Sequence, residues 1–264
     1  LFSTRTVRFR GMMLIIENLT KVYENGFVAL KNISLEIPDG QFVSIIGLSG
    51  SGKSTLLRCI NRLIDPTEGR IIWNGLDITA ASDDELRQIR RRIGMIFQQF
   101  NLVKRSSVLT NVMAGRLGYI NPALSLVNYF PRSERDRAFA ALQRVGISEK
   151  AFSRASALSG GQQQRVGIAR TLMQNPEMIL ADEPVASLDP ATSHSVMKYL
   201  QLLNKEDGLS VLCSLHFLSL ARAYADRVIA LKDGVLEFDG LPSEIDNDRF
   251  KMIYGEDAVE VEIH

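Results

Sequence analysis

Residues 47–54 read GLSGSGKS and directly follow the short apolar run FVSII at residues 42–46. Their spacing, G-x-x-x-x-G-K-[ST], is typical of a loop whose backbone N–H groups curl around a polyphosphate, a path that glycine permits because it has no Cβ atom. We predict a strand over the apolar run and a helix from about Ser54 to Ile60, whose N-terminal dipole attracts an anion. Lys53 would then reach the β- and γ-phosphates, and the Ser54 hydroxyl would hold Mg²⁺. The spacing of the glycines does not match G-x-G-x-x-G, the fingerprint of dinucleotide-binding proteins.

A pair of carboxylates ends another apolar stretch, MILADE, at residues 178–183. Two acids at the end of a buried strand are costly unless a cation or a proton meets them. With a phosphate loop in the same chain, we interpret Asp182 as the acid that holds Mg²⁺ through its water shell. Glu183 is then positioned to polarise an attacking water. The two features together predict hydrolysis of a nucleoside triphosphate.

Strand and helix patterns alternate along most of the chain, which predicts an α/β fold with a mainly parallel sheet. In the first third we expect strands at 14–19 and 71–74, a strand pair within 27–37, a helix at 83–92 and a strand at 93–97. Residues 100–165 are mostly helical in pattern. Core strands follow at 178–181, 211–215 and 228–231, with helices at about 162–173, 190–204 and 218–224.

Further motifs, in a fixed order, resemble those of the ATP-binding-cassette (ABC) ATPases. LSGGQQQR at residues 158–165 resembles the signature sequence of that family and precedes the acidic strand. Gln98 matches the glutamine loop, and Asp189, in the segment SLD, matches the loop through which the family communicates across a dimer. His216 matches the switch histidine, and Tyr23 matches the aromatic residue that stacks on adenine. The resemblance covers about residues 13–240.

The resemblance implies a P-loop NTPase core, with a mainly parallel sheet, an antiparallel β subdomain and an inserted α-helical subdomain at about 99–165. It places a single ABC ATPase domain at residues 12–264. It also implies ATP and Mg²⁺ as cofactors and a homodimer that forms head to tail when ATP is present. In that dimer, the signature of one chain caps the γ-phosphate bound by the other.

The resemblance also assigns roles to individual residues. Catalysis is expected from Glu183, His216, Lys53 and Gln98. Contacts with ATP are expected from Tyr23, Gly47, Leu48, Ser49, Gly50, Ser51, Gly52, Lys53, Ser54 and Thr55. The signature residues that cap the partner's ATP are Ser159, Gly160, Gly161 and Gln162, and Asp189 communicates across the dimer. The metal would be held by Ser54 and Gln98, and by Asp182 through water.

Three shorter stretches resemble the ATPase subunit of bacterial phosphonate importers: GRLG at 115–118, SLH at 214–216 and LRCIN at 57–61. This resemblance implies ATP-driven import of phosphonate or a related phosphorus oxyanion. The partners would be two membrane-spanning permease subunits and an extracytoplasmic solute-binding protein that acts through them. The chain would lie peripherally on the cytoplasmic face of the bacterial inner membrane. Leu48, where many cassettes have proline, and Phe217, where the family usually has a polar or acidic residue, depart from the pattern.

Two alternatives remain open at this point. The cassette could serve another substrate such as amino acids or an exported lipid. It could also be a soluble ABC ATPase outside transport, although such proteins usually carry two cassettes or a long coiled-coil insertion. Residues 115–131, with the region after Gln98, are either a docking surface for the permease or part of the core of the helical subdomain.

The amino-acid composition narrows the classes of protein to which this chain could belong. The chain has 31 Lys and Arg against 30 Asp and Glu, a net charge of +1, which argues against an electrostatically driven nucleic-acid binder. No stretch reaches 18 consecutive apolar residues, so no transmembrane helix is expected. The two cysteines are too few for a disulfide scaffold and are predicted to be reduced thiols. We interpret residues 1–11 as an N-terminal extension, native or added, with Met12 or Met13 as a candidate natural start.

Overall fold

A computed structural model describes residues 13–120, 130–256 and 258. Its strands are β1 Met13–Val22, β2 Val28–Pro38, β3 Phe42–Ile46, β4 Glu68–Trp73, β5 Leu76–Asp77, β6 Ile93–Ile96, β7 Met178–Ala181, β8 Ser210–Ser214, β9 Arg227–Lys232 and β10 Val235–Gly240. Its α-helices are α1 Lys53–Ile60, α2 Asp83–Arg92, α3 Val108–Met113, α4 Arg132–Arg144, α5 Gly160–Leu172, α6 Pro190–Asp207, α7 Leu218–Tyr224 and α8 Asn247–Tyr254. The predicted extension at residues 1–11 lies outside the described residues.

The larger sheet has six strands in the order β10-β9-β3-β8-β7-β6. Strands β9, β3, β8, β7 and β6 run parallel to their neighbours, and only the pairing of β10 with β9 is antiparallel. All five residues of β3 are buried, as expected for a strand covered on both faces. The prediction of a mainly parallel sheet is therefore confirmed.

The smaller sheet is antiparallel, with four strands in the order β2-β1-β4-β5. The prediction of a strand pair within 27–37 is wrong, because this segment forms the single strand β2, which pairs with β1. Asn18 and Asn32 both adopt positive φ, at 49° and 52°, and the register of the two strands shifts beside them. These shifts are thus irregularities within one pair of strands and not a turn between two strands of the segment 27–37.

Strand β3 separates two hydrophobic clusters, because successive side chains of a strand point to opposite faces. Phe42 and Ile46 pack into the cluster formed by helices α3 to α8. Val43 and Ile45 pack into the cluster formed by the antiparallel sheet with α1 and α2. Each such side chain, fully buried, contributes about 1.5–3 kcal/mol of transfer free energy. The phosphate loop therefore starts from a strand that is held firmly on both sides.

Capping residues explain where helices α5 and α6 begin and where α6 ends. Ser159 caps α5, so this helix starts at Gly160 rather than at the predicted residue 162. Helix α6 starts at Pro190, as predicted, and Asp189 caps it. Helix α6 continues past the predicted end at residue 204, until Gly208 adopts a left-handed conformation with φ of 65°. Within the described ranges, no helix is both long enough and apolar enough to cross a membrane.

Candidate active site

The loop between β3 and α1 takes a path that excludes side chains at two of its glycines. Gly47 and Gly52 have φ of 140° and 106°, in the region that residues with a Cβ atom rarely adopt. A Cβ atom on Gly47 would overlap the backbone oxygen of Leu231, and one on Gly52 would lie 2.6 Å from the backbone oxygen of Ala29. Both glycines are therefore fixed by the strands that pack behind the loop as well as by the curl of the backbone.

Lys53 lies inside the curl of this loop, with only 3% of its surface exposed. Its Nζ donates hydrogen bonds to the backbone oxygens of Gly47, at 2.8 Å, and Leu48, at 2.9 Å. Burial lowers the pKa of Lys53, and the negative charges of Glu183 and Asp182 act in the opposite direction. The Lys53 side chain is thus buried near two carboxylates, in the loop that we predicted to bind phosphate.

Asp182 is buried and is held by three side chains, two from α1 and one from β8. Ser54 donates its hydroxyl to Asp182 Oδ1 at 2.6 Å, and Arg58 Nη2 donates to Oδ2 at 3.0 Å. The Ser214 hydroxyl also donates to Oδ1, at 3.3 Å. The Ser54 and Asp182 oxygens form the kind of donor pair that Mg²⁺ prefers, so the residues present fit the predicted metal.

Glu183 and His216 form the second half of the cluster. Glu183 Oε1 lies 2.7 Å from His216 Nε2, and the side chain of Glu183 is 14% exposed. Glu183 has a φ of 49°, a left-handed conformation that costs about 1–3 kcal/mol for a residue other than glycine. Its backbone N–H donates to the Ser214 hydroxyl at 2.8 Å. Two residues predicted separately, from an acidic strand end and from motif order, are therefore in direct contact.

The topology explains why residues so far apart in sequence meet. Strands β3, β8, β7 and β6 are neighbours and run parallel, so their carboxyl ends share one edge of the sheet. The phosphate loop follows β3, His216 follows β8, the acidic pair follows β7 and Gln98 follows β6. Ligands of open α/β sheets bind at this edge. Gln98 is exposed there.

Tyr23 lies beside the phosphate-loop helix, although it comes from the antiparallel sheet. Its hydroxyl is 3.2 Å from Thr55 Oγ1, and its ring stacks on Phe27 with centroids 6.4 Å apart. The ammonium of Lys21 lies 5.4 Å from the centre of the same ring. The structure thus brings the predicted adenine contact Tyr23 next to Thr55, another predicted ATP contact.

The signature forms the N-terminus of α5, and two of its own side chains cap the helix. Ser159 Oγ accepts from the backbone N–H of Gln162 at 3.4 Å, and Gln162 Oε1 accepts from the backbone N–H of Ser159 at 3.0 Å. The Ser159 hydroxyl therefore occupies the backbone N–H donor of Gln162. Gly160 packs near Leu188, and a Cβ atom on Gly161 would overlap Thr192 Cγ2. Ser159 itself is exposed.

Asp189 lies at the start of α6, where its carboxylate accepts the backbone N–H of Thr192 at 3.0 Å. The hydrogen bond with Thr192 lowers the pKa of Asp189. Among the described residues, no hydrogen bond or ion pair joins Ser159–Gln162 or Asp189 to the phosphate loop of the same chain. The structure therefore assembles the loop with Asp182, Glu183 and His216, and leaves the signature on a separate surface.

Sequence reasoning missed two residues of the cluster, Arg58 and Ser214. Arg58 follows Ser54 by four positions in α1, so both side chains lie on one face of the helix, and this spacing was the available signal. Ser214 was noted only as part of the stretch SLH. No local pattern marks its contact with Glu183, because that contact crosses between β8 and the end of β7.

Comparisons with known proteins agree with this geometry. A family model described as "ABC transporter" matches residues 30–186. The phosphonates import ATP-binding protein PhnC 3 of Halalkalibacterium halodurans is 52% identical over 243 residues, which cover 92% of this chain and 94% of that protein. The protein named phosphonates import ATP-binding protein PhnC of Bdellovibrio bacteriovorus is 56% identical over 250 residues, covering 94% of this chain and 96% of that protein.

A solved structure with a similar fold is the dimeric post-hydrolysis state of the ATP-binding cassette MJ0796 bound to ADP and Pi. It is 41% identical in sequence, with a TM-score of 0.77, and the match covers 87% of this chain and 98% of that one. The cassette cbiO1 from Clostridium perfringens, part of the transporter complex cbiONQ, is 31% identical with a TM-score of 0.78, covering 90% of this chain and 92% of that one.

Proposed function

This chain belongs to the ABC transporter family, and we propose that it is the ATP-hydrolysing subunit of a bacterial importer for phosphonate or a related phosphorus oxyanion. The ATPase assignment follows from the family. The substrate class rests on relatives named for phosphonate import, which are 52% and 56% identical over more than nine-tenths of this chain. The cluster of Lys53, Asp182, Glu183 and His216 at one sheet edge is the observation that carries the chemistry.

Each residue of the cluster has a step in the proposed hydrolysis. Lys53 holds the β- and γ-phosphates through its buried ammonium group. Ser54 and Asp182 would hold Mg²⁺, which neutralises the charge on the phosphates when it is bound. Glu183 accepts a proton from the water whose oxygen attacks the γ-phosphorus, while the bond from that phosphorus to the bridging oxygen of ADP breaks. His216 orients the Glu183 carboxylate through the 2.7 Å contact and meets the γ-phosphate.

The remaining predicted residues act around this centre. Tyr23 stacks on adenine, and Gln98, which follows β6, would help to hold Mg²⁺. Ser159 to Gln162 cap the γ-phosphate bound by a second copy of the chain, with Asp189 communicating between the copies. The exposure of Ser159 and the absence of described contacts between the signature and its own loop support this head-to-tail arrangement.

The importer would contain two membrane-spanning permease subunits and an extracytoplasmic solute-binding protein, with this chain on the cytoplasmic face of the inner membrane. Leu117 and Tyr119 are 50% and 40% exposed, whereas Phe130 is buried, so the segment predicted for docking has both solvent-facing and core residues. Residues 121–129 of that segment lie outside the described residues. We assign the exposed part of the segment to contact with the permease.

Growth on phosphonate as sole phosphorus source tests the substrate class. The chain, produced with its companion permease and binding protein, should restore growth to a bacterium that lacks its own phosphonate importer. The Lys53→Ala variant should not restore it, and growth on inorganic phosphate should be the same for both. If the cells do not grow on phosphonate but take up a labelled amino acid, the proposed substrate class is wrong. ATPase activity of the purified chain would still support its assignment to the ABC family.

A further inference from the structure

Ser214 is a buried hydroxyl between the two acids of the active site. It is the last residue of β8 and has no exposed surface. Its Oγ accepts the backbone N–H of Glu183 at 2.8 Å and donates to Asp182 Oδ1 at 3.3 Å. A serine hydroxyl has one hydrogen to give and lone pairs to accept with, so both contacts can form together.

The hydrogen bond from the Glu183 backbone N–H to Ser214 matters because the backbone of Glu183 is in an unfavourable conformation. A φ of 49° is rarely adopted by a residue with a Cβ atom, and it persists only where surrounding contacts hold it. Within the described residues, Ser214 is the hydrogen-bond partner of this N–H group. Without that acceptor, the Glu183 backbone loses a contact that keeps it in the left-handed region.

The hydrogen bond that Ser214 donates to Asp182 orients the Ser214 hydroxyl. Asp182 Oδ1 also accepts from Ser54 at 2.6 Å, so the oxygen that receives the Ser214 proton is fixed by the phosphate-loop helix. The lone pairs of Ser214 are thereby directed toward Glu183. In addition, β8 leads directly to His216, two residues after Ser214, and His216 contacts the Glu183 carboxylate. One hydroxyl therefore joins the metal-holding acid, the backbone of Glu183 and the strand that carries the histidine.

We propose that Ser214 is a positioning residue for ATP hydrolysis, which holds Glu183 in the conformation that places its carboxylate beside His216. The proposal rests on the proposed role of Glu183 as the acceptor of the water proton. It predicts that loss of the Ser214 hydroxyl impairs the chemical step and leaves the binding of ATP intact, because Lys53 and Ser54 reach the nucleotide without it.

The first experiment compares Ser214→Ala with Ser44→Ala in the purified protein. Ser44 is an equally buried serine on the adjacent strand β3, and its hydroxyl has no hydrogen-bond partner among the described residues. We expect Ser214→Ala to lower kcat about ten- to a hundredfold, because the Glu183 N–H loses its acceptor and the carboxylate is no longer held beside His216, with KM for ATP unchanged. Ser44→Ala should keep the kcat of the unmodified protein.

A double-mutant cycle with Glu183→Gln then shows whether Ser214 acts through Glu183. If it does, Ser214→Ala should cause no further loss of the residual turnover in the Glu183→Gln background, because the proton acceptor is already absent. The double variant should also still form an ATP-dependent dimer. If Ser214 instead serves Asp182 and the metal, the double variant will lose ATP binding, and the proposal is wrong.

The remaining outcomes separate this proposal from the proposed function. An unchanged kcat for Ser214→Ala, or a loss equal to that of Ser44→Ala, would overturn the positioning role. If Glu183→Gln hydrolyses ATP at the rate of the unmodified protein, the proposed role of Glu183 is wrong, whatever kcat is measured for Ser214→Ala. If Ser214→Ala does not fold, Ser214→Cys replaces it, because the thiol has a similar shape but is a much weaker hydrogen-bond acceptor. The same changes in kcat and KM are then expected.

Discussion

At the scale of single residues, Glu183 is where binding and hydrolysis should separate. Glu183→Gln keeps the shape of the side chain but cannot accept a proton, and loss of a positioned general base costs on the order of 10²–10⁴ in rate. Lys53, Ser54 and Asp182 remain, so ATP with Mg²⁺ should still bind. Removing the negative charge beside the γ-phosphate also relieves repulsion, and we expect the variant to accumulate as an ATP-bound dimer.

Gel filtration with ATP, alongside phosphate release, checks this expectation. Glu149→Gln is the matched control, since it makes the same chemical change at an exposed position of the helical region. Hydrolysis at the unmodified rate would make His216 the first alternative as base. Loss of ATP binding would instead make Glu183 a structural residue or a metal ligand.

The two cysteines should be unreactive in the folded protein. Cys59 and Cys213 are free and fully buried, and burial raises the pKa of the Cys59 thiol to about 12. Burial also raises the pKa of Cys213. Because the thiolate is the reactive form, iodoacetamide at pH 8 should leave both residues unmodified in the folded chain and alkylate both in denaturant. Rapid labelling of the folded chain, detected by mass spectrometry, would contradict the burial of these side chains.

Residues that bind through a contiguous motif could be predicted from the sequence, whereas residues that act across strands could not. Lys53 and Ser54 belong to one eight-residue pattern, and the structure places Lys53 inside the loop and Ser54 against Asp182. Asp182 was predicted as a metal holder, but its ion pair with Arg58 depends on the packing of α1 against the end of β7. Ser214 is detectable only once β8 and β7 are known to be neighbours.

At the scale of elements, short and strongly apolar strands were predictable and irregular ones were not. FVSII and MILA became β3 and β7 at the predicted residues, since a buried parallel strand shows as a continuous apolar run. Strand β10 was missed, because its residues alternate between half-buried and exposed and include charged side chains. Strand β2 was wrongly predicted as a pair of strands, because an alternating pattern alone does not show where one strand ends.

The stretch 115–118 lets the packing of one element be tested with a matched pair of glycines. Gly115 is buried against the C-terminal end of α5, and a Cβ atom there would overlap the backbone oxygen of Arg170. Backbone cannot move aside as a flexible side chain can, so Gly115→Ala should lower the free energy of unfolding by about 1–3 kcal/mol. A Cβ atom on Gly118 would meet only Arg91, at 3.5 Å, an ordinary contact.

Urea denaturation of both variants measures the difference. Gly118→Ala is expected to change the free energy of unfolding by less than about 0.5 kcal/mol, as for most exposed substitutions. Equal effects of the two changes would mean that the close approach of Gly115 to α5 is not present in solution.

At the scale of the whole molecule, the phosphate loop and the signature, which we propose to act on the same ATP, lie on separate surfaces of the chain. The phosphate loop lies with Asp182, Glu183 and His216, while the signature caps α5 and packs near Leu188. A head-to-tail dimer brings the loop of one chain to the signature of the other, and the relative MJ0796 is described as dimeric with ADP and Pi bound. This arrangement makes two composite sites, each with residues from both chains, and it can be tested genetically.

Two inactive variants should restore one active site when they are mixed. Lys53→Ala removes the buried cation of the loop, and Ser159→Arg places a bulky cation where the signature meets the partner's γ-phosphate. In either homodimer every composite site carries one lesion, so both variants alone should lack ATPase activity. In a mixed dimer that is head to tail, the Ser159→Arg chain faces the defective Lys53→Ala loop, and both lesions fall in one site. The other site then pairs an intact loop with an intact signature.

The mixture should therefore hydrolyse ATP at one site per dimer, measured as phosphate release after the two purified variants are combined. Mixing Lys53→Ala with a chain that carries both substitutions is the control, because no site in that dimer is intact. If the signature served the loop of its own chain, each chain of the mixed dimer would keep its own lesion and no site would recover. Absence of ATPase activity in the mixture, with both variants folded and able to associate, would rule out the head-to-tail arrangement and leave the exposed signature without its proposed partner.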